Sequence, residues 1–190
     1  MKKMILSAIA IFTIGFANAQ EVKFGAKAGL NLANISGGGT DTNVRTSFYV
    51  GGLAEFGISD KFFIQPELVY SSQGFINKSN TDFSVQLDYL NLPIMAKYMV
   101  AEGFSLQAGP QIGFLLSAKN KTPEGSSDIK ENLSKVDFSL GLGVGYDINE
   151  NFNIGFRYNL GLSKINKESA PSGSSDIKNS VFQIGVGYTF

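Results

Sequence analysis

The chain contains no histidine and no cysteine. That removes the commonest general base, the commonest transition-metal ligand, the thiolate nucleophile and any disulfide framework. The groups left with chemical capacity are carboxylates, amines and guanidinium groups, and their placement follows a rule. Lys23, Lys27, Glu55, Glu67, Lys97, Asp137 and Arg157 all occupy odd positions inside segments whose even positions are apolar. Charges of both signs on one face suit a network of ion pairs and hydrogen bonds that fills an interior, because buried charges must be paired. The competing use is a polar conduction or binding path. Within such a network, Glu55 or Glu67 is expected to pair with Arg157. No spacing sets up a Ser-Lys or carboxylate-pair catalyst, so no catalytic, cofactor-binding or metal residues are expected and the chain is read as non-enzymatic. The sixteen basic and sixteen acidic residues cancel, and no basic stripe suggests a nucleic-acid partner.

Two further motifs invite chemistry. Gly141-Leu-Gly-Val-Gly145 superficially resembles a dinucleotide-binding loop, but it lacks the G-x-G-x-x-G spacing and no helix follows. Glycines two residues apart are better read as one face of a strand, small enough for long side chains from other strands to pass. The hexapeptide Gly125-Ser-Ser-Asp-Ile-Lys130 recurs as Gly173-Ser-Ser-Asp-Ile-Lys178, each with a proline two residues ahead. It reads either as turn chemistry before a strand or as two related patches that together touch a partner.

The elements that must position these residues follow from one period. The sequence alternates with period two through most of 22–190, the signature of strands that face two environments. Eight strands are expected at 22–33, 46–58, 62–72, 83–98, 104–117, 135–146, 152–163 and 179–190. Their even positions carry the bulky apolar residues, among them Phe24, Phe48, Leu68, Ile94, Phe114, Leu142, Phe156 and Phe182. Their odd positions carry glycine, polar residues and the seven charges.

Volume decides which face points inward. An eight-stranded barrel has an interior just wide enough for side chains to fill, so the bulky face cannot fit inside and the glycine-rich polar face can. Turned outward in water, the apolar face far exceeds the patch a soluble protein tolerates. In lipid it is required, and a transmembrane barrel alternates apolar-out with polar-in. The expected fold is therefore all-β: an eight-stranded antiparallel up-and-down transmembrane β-barrel.

The links agree. Short ones at 59–61, 99–103 and 147–151 alternate with long ones at 34–45, 118–134 and 164–178 and a medium one near 73–82, as periplasmic turns and external loops do. Outward aromatics flank the short turns: Phe56 and Phe62, Tyr98 and Phe104, Tyr146 and Phe152. A second row lies near the long loops: Phe48, Tyr70, Phe114, Phe138, Tyr158 and Phe182. Rows eight residues apart on a strand tilted near 40° are separated by roughly 20 Å along the axis, which suits aromatic girdles around an apolar band of about 25 Å.

Residues 1–19 stand apart. Met1-Lys2-Lys3, an apolar stretch to Phe16 and Ala17-Asn18-Ala19 form the layout of a secretory signal peptide. The apolar stretch is too short for a membrane-spanning helix, which needs about 20 residues. The expected organisation is a signal peptide at 1–19 and a barrel domain at 20–190.

Two features break the pattern. Phe83, Val85 and Leu87 are apolar on odd positions, which suggests a β-bulge around Asp88-Tyr89 that switches the phase, or a strand end projecting beyond the membrane. Pro66, Pro93 and Pro110 each remove a ladder donor in a barrel with no edge, so bulges or local breaks are expected there.

The strand Tyr89-Leu-Asn-Leu-Pro-Ile-Met-Ala-Lys-Tyr98, the Gly-x-Gly-Tyr endings at Gly143–Tyr146 and Gly185–Tyr188, and the terminal Tyr188-Thr-Phe190 resemble the PorT-like outer-membrane β-barrel family of Bacteroidota. The resemblance spans 20–190 and implies a location in the bacterial outer membrane after signal-peptide cleavage. The family's namesake is associated with protein secretion, and no residue here is diagnostic of that role. Tyr188 and Phe190 match the aromatic C-terminal pattern read by the barrel-assembly machinery. The partners expected are outer-membrane lipid, that machinery and an envelope or surface protein, with the barrel itself a monomer and no cofactor. Outer-membrane barrel enzymes of the familiar kinds use a histidine, which this chain lacks. The expected roles are a structural or binding scaffold acting through external loops, an accessory of an envelope secretion system, or a small pore.

Overall fold

The computed structural model describes residues 22–37, 41–167 and 176–190. The expected signal peptide and the first three residues of the second hexapeptide lie outside the described residues. Eight long strands form the wall: β1 (Val22–Ser36), β2 (Thr42–Gly57), β3 (Phe62–Asn77), β4 (Ser84–Ala101), β5 (Phe104–Thr122), β7 (Val136–Asp147), β8 (Phe152–Gly161) and β9 (Lys178–Thr189). A short strand, β6 (Gly125–Asp128), folds back on the end of β5 outside the wall. Each wall strand pairs antiparallel with its neighbours in sequence. β1 pairs with β9, so the sheet closes on itself as an eight-stranded barrel.

Closure leaves no open edge, which is what a bilayer demands of a strand-built span. Among the described residues, no helix is long and apolar enough to cross a membrane.

The two faces are divided as the volume argument requires. Apart from Phe83, every exposed large apolar side chain sits on an even position. Apart from Ser72 and Asp88, every buried polar or charged residue sits on an odd one. The aromatic rows run level around the wall. In the lower row, Phe62 is opposite Tyr98, Phe104 opposite Tyr146 and Phe152 opposite Tyr188. The Phe152 and Tyr188 rings meet edge-to-face at 4.8 Å, and Tyr188 meets Phe190 at 5.4 Å, favourable geometry for aromatic pairs.

Short turns close with local hydrogen bonds. Asn149 accepts from the Asn151 and Phe152 amides at 2.9 and 2.8 Å, Ser59 accepts from Phe62, and Gly103 takes a φ of 71°, a conformation glycine adopts without strain.

The strands run further than the alternation indicated. At the long-loop end, β1, β2, β3 and β5 extend to Ser36, Thr42, Asn77 and Thr122, while β8 stops at Gly161 rather than 163. The first four residues of the first hexapeptide, read as part of a long link, form strand β6. The register between β4 and β5 shifts at Asp88/Tyr89, where a bulge is expected, but the phase of β4 does not switch. Asp88 pairs with Ser117 and Tyr89 with Leu115, so the extra residue of the bulge is Leu116, in β5. Val85 is half-buried, Leu87 is buried, and the phase changes instead in β5: Leu115 points in, Leu116 out and Ala118 in.

The prolines produce local breaks without a slip of register. Pro66 interrupts β2–β3 pairing between Leu53↔Glu67 and Phe56↔Ile64. Pro93 interrupts β3–β4 between Pro66↔Ile94 and Val69↔Asn91, and Pro110 interrupts β4–β5 between Pro93↔Gln111 and Ala96↔Ala108. Each proline loses its ladder to the preceding strand and keeps it to the following one.

Candidate functional site: the barrel lumen

The odd-face charges divide into three levels. At the centre, Glu67 on β3 holds Arg157 on β8 through two hydrogen bonds of 2.9 and 2.8 Å. It also takes Lys27 on β1 at 3.1 and 2.9 Å and the Gln65 amide at 2.7 Å. The Glu67 side chain is fully buried. One carboxylate thus meets two cations, with the bidentate geometry that suits guanidinium to carboxylate. Arg157 donates further to Gln107 at 2.9 Å, and the Lys27 ammonium stands 5.7 Å from the centre of the Tyr49 ring. Glycines make the room. A Cβ on Gly185 would strike the Tyr49 hydroxyl and the Ala28 carbonyl, and one on Gly145 would crowd Gln107.

Below this, toward the short turns, Lys97 on β4 bonds Glu55 at 3.0 Å and Asp147 at 3.3 Å. Lys23 lies opposite Glu55 in the β1–β2 register. A cavity of about 360 Å³ opens here, lined by Lys23, Glu55, Asp60, Lys97, Asp147 and Glu150 among others. Only about 40 Å³ is free beside Arg157.

Asp137 stands alone at the opposite end. It accepts from Ser163 at 2.6 Å and from the Asn179 amide at 2.9 Å. Between Asp137 and the centre runs a chain of neutral groups: Gln111 to Ser139 at 3.0 Å, Asn159 to Gln183 at 2.9 Å and Gln183 to Asn31 at 2.9 Å. Asn31 also donates to the Phe48 and Ser72 carbonyls, where the β2–β3 register shifts.

Six of the seven charges read from the sequence therefore gather in the central and lower levels, and Asp137 does not join them. The sequence reading missed Asp147, placed in a turn, and the neutral partners Gln65, Gln107, Asn31, Asn159, Asn179 and Gln183. Their signal was available: all lie on the odd face of strands, but amides carry no charge to draw attention. Among the described residues no group of acidic side chains could hold a metal ion.

A closed antiparallel barrel that is apolar outside and charge-paired inside is a transmembrane β-barrel of the outer-membrane kind. The chain belongs to the family described as outer membrane protein beta-barrel domain, whose model matches residues 17–167. Solved structures agree in fold. Neisserial surface protein A matches with a TM-score of 0.58 at 14% identity, covering 90% of this chain and 100% of that one. Ail, the attachment invasion locus protein of Yersinia pestis, matches with a TM-score of 0.55 at 16% identity and the same coverage. No curated protein matches the sequence.

Proposed function

We propose that the chain is a non-enzymatic, non-conducting scaffold of the bacterial outer membrane that works through its external loops. The observation that carries this reading is the cross-lumen cluster of Glu67, Arg157 and Lys27. These side chains occupy the space a solute path would need, and each is bonded to another member of the cluster rather than held ready for a ligand. Loops on a rigid scaffold are where binding usually sits. Cleavage of the leader after residue 19, insertion by the barrel-assembly machinery through Tyr188 and Phe190, and a monomeric state in outer-membrane lipid belong to the same reading. The finer placement in the PorT-like family of Bacteroidota also belongs here, with an accessory role in envelope protein secretion as the alternative.

The test is affinity purification from native membranes, comparing the tagged wild type with a variant in which residues 123–128 are replaced by a short glycine-serine turn. The scaffold reading expects a surface or envelope protein to be retained by the wild type and lost from the loop variant. Retention of the same partner by both contradicts action through that loop. Recovery of secretion-machine components favours the accessory role.

A further inference from the structure

The inner face of a membrane barrel is polar, yet this one carries an apolar cluster at its long-loop end. Leu87 and Tyr89 of β4 and Leu115 and Ala118 of β5 point inward and pack with Ile165 from the link after β8. Ala118 faces in only because the Leu116 bulge reverses the phase of β5. The cluster is completed from the loops, and here the repeated hexapeptide finds a use. Ile129 of the first copy and Ile177 of the second pack against the same cluster.

The isoleucine and aspartate of each copy are held by different partners. The Ile129 amide donates to the Ala118 carbonyl at 3.0 Å, and the Ile177 amide donates to the Asn166 side chain at 3.1 Å. Asp128 accepts from the Lys130 amide at 2.8 Å, and Asp176 pairs with Lys164 at 2.7 Å. The two links are also tied to each other: the Ser134 amide donates to the Ile165 carbonyl at 2.8 Å, and Leu133 bridges Asn166.

We propose that Ile129, Leu133, Ile165 and Ile177 from these two loops form, with the wall residues they pack against, a hydrophobic stopper in the outer mouth, a barrier separate from the Glu67 cluster, so that the polar stretch of lumen between the two is closed on both sides. Along β5, Gln107 touches Arg157 and Leu115 belongs to the stopper. Eight residues on a tilted strand separate the two by roughly 20 Å along the axis. Gln111 and Ser139 lie between them. The inference extends the non-conducting reading by naming a second barrier and the residues that make it.

The chain has no cysteine, so S139C is a unique reporter between the two barriers. The barrel is reconstituted in lipid nanodiscs, its folding is checked by heat-shifted gel mobility, and it is exposed to a water-soluble maleimide. S139C should label slowly. Adding I129S and I177S should raise the rate about tenfold or more, because losing packed isoleucines favours local opening. The milder I129A/I177A pair should act in the same direction. In planar bilayers the stopper variant alone should pass no current, since the Glu67 cluster still closes the lumen, whereas combining it with E67A and R157A should conduct. Rapid labelling of S139C in a wild type that passes no current would overturn the stopper and leave the non-conducting reading standing. An unchanged rate in folded I129S/I177S would overturn it equally, whereas current through that variant alone would overturn the Glu67 cluster as the other barrier.

Discussion

Arg157 and Glu67 lie 90 residues apart in the chain and meet across the lumen through two hydrogen bonds of 2.9 and 2.8 Å. The contact joins β8 to β3, strands that are not neighbours in the sheet. It braces the barrel across its width.

Breaking that brace from one side is costly. Replacing Arg157 by alanine leaves Glu67 with only Lys27 and a glutamine, and losing one partner of a buried pair typically costs about 3–5 kcal/mol. R157A should therefore lower unfolding stability in phospholipid vesicles by that order, and K27A by clearly less, since the bidentate partner survives. R157K should fall between wild type and R157A, because an ammonium cannot reproduce the fork. Equal losses for K27A and R157A in urea titrations contradict this ranking.

The lipid-facing wall makes a second prediction. Leu142 sits on the outer face midway between the Phe138 and Tyr146 rows and is 48% exposed. In water, an exposed leucine could become arginine with a change within about 0.5 kcal/mol. At the middle of a bilayer the same change costs about 2–4 kcal/mol. L142R should thus be strongly destabilising in vesicles, and a neutral result places this face in water.

Glycines on the inner face are predicted to be intolerant for a specific reason. A Cβ at Gly185 would meet both the Tyr49 hydroxyl and the Ala28 backbone carbonyl. G185A should cost about 1–3 kcal/mol by overpacking. Adding Y49A should recover only part of the loss, because the carbonyl clash remains. Full recovery in the double variant would assign the whole cost to the ring.

Much of this was legible in the residues themselves. Period-two alternation gave the eight strands, and the bulk of Phe24, Leu68 or Phe156 against the glycines opposite them gave the inside-out orientation. A charge count on the odd face narrowed the partner of Arg157 to Glu55 or Glu67, but which of the two depends on register, which one sequence does not carry. The burial of Leu87 is hidden from the sequence for a related reason. Its apolar side chain on the polar face suggests a change of phase or a strand end beyond the membrane, whereas its neighbours Ile165 and Ile177 arrive from loops distant in the chain. A bulge in β5 then corrects the register that β4 was expected to correct. Neutral lumen partners such as Gln183 and Asn31 are bonded across 152 residues, and no local pattern announces such a contact.

The claim that the lumen is closed is tested most directly by single-channel recording of the purified, folded wild-type barrel in a planar lipid bilayer. The account predicts a baseline without openings over prolonged recording, with current appearing only when E67A/R157A is combined with I129S/I177S. Reproducible unitary openings of the wild type would contradict it.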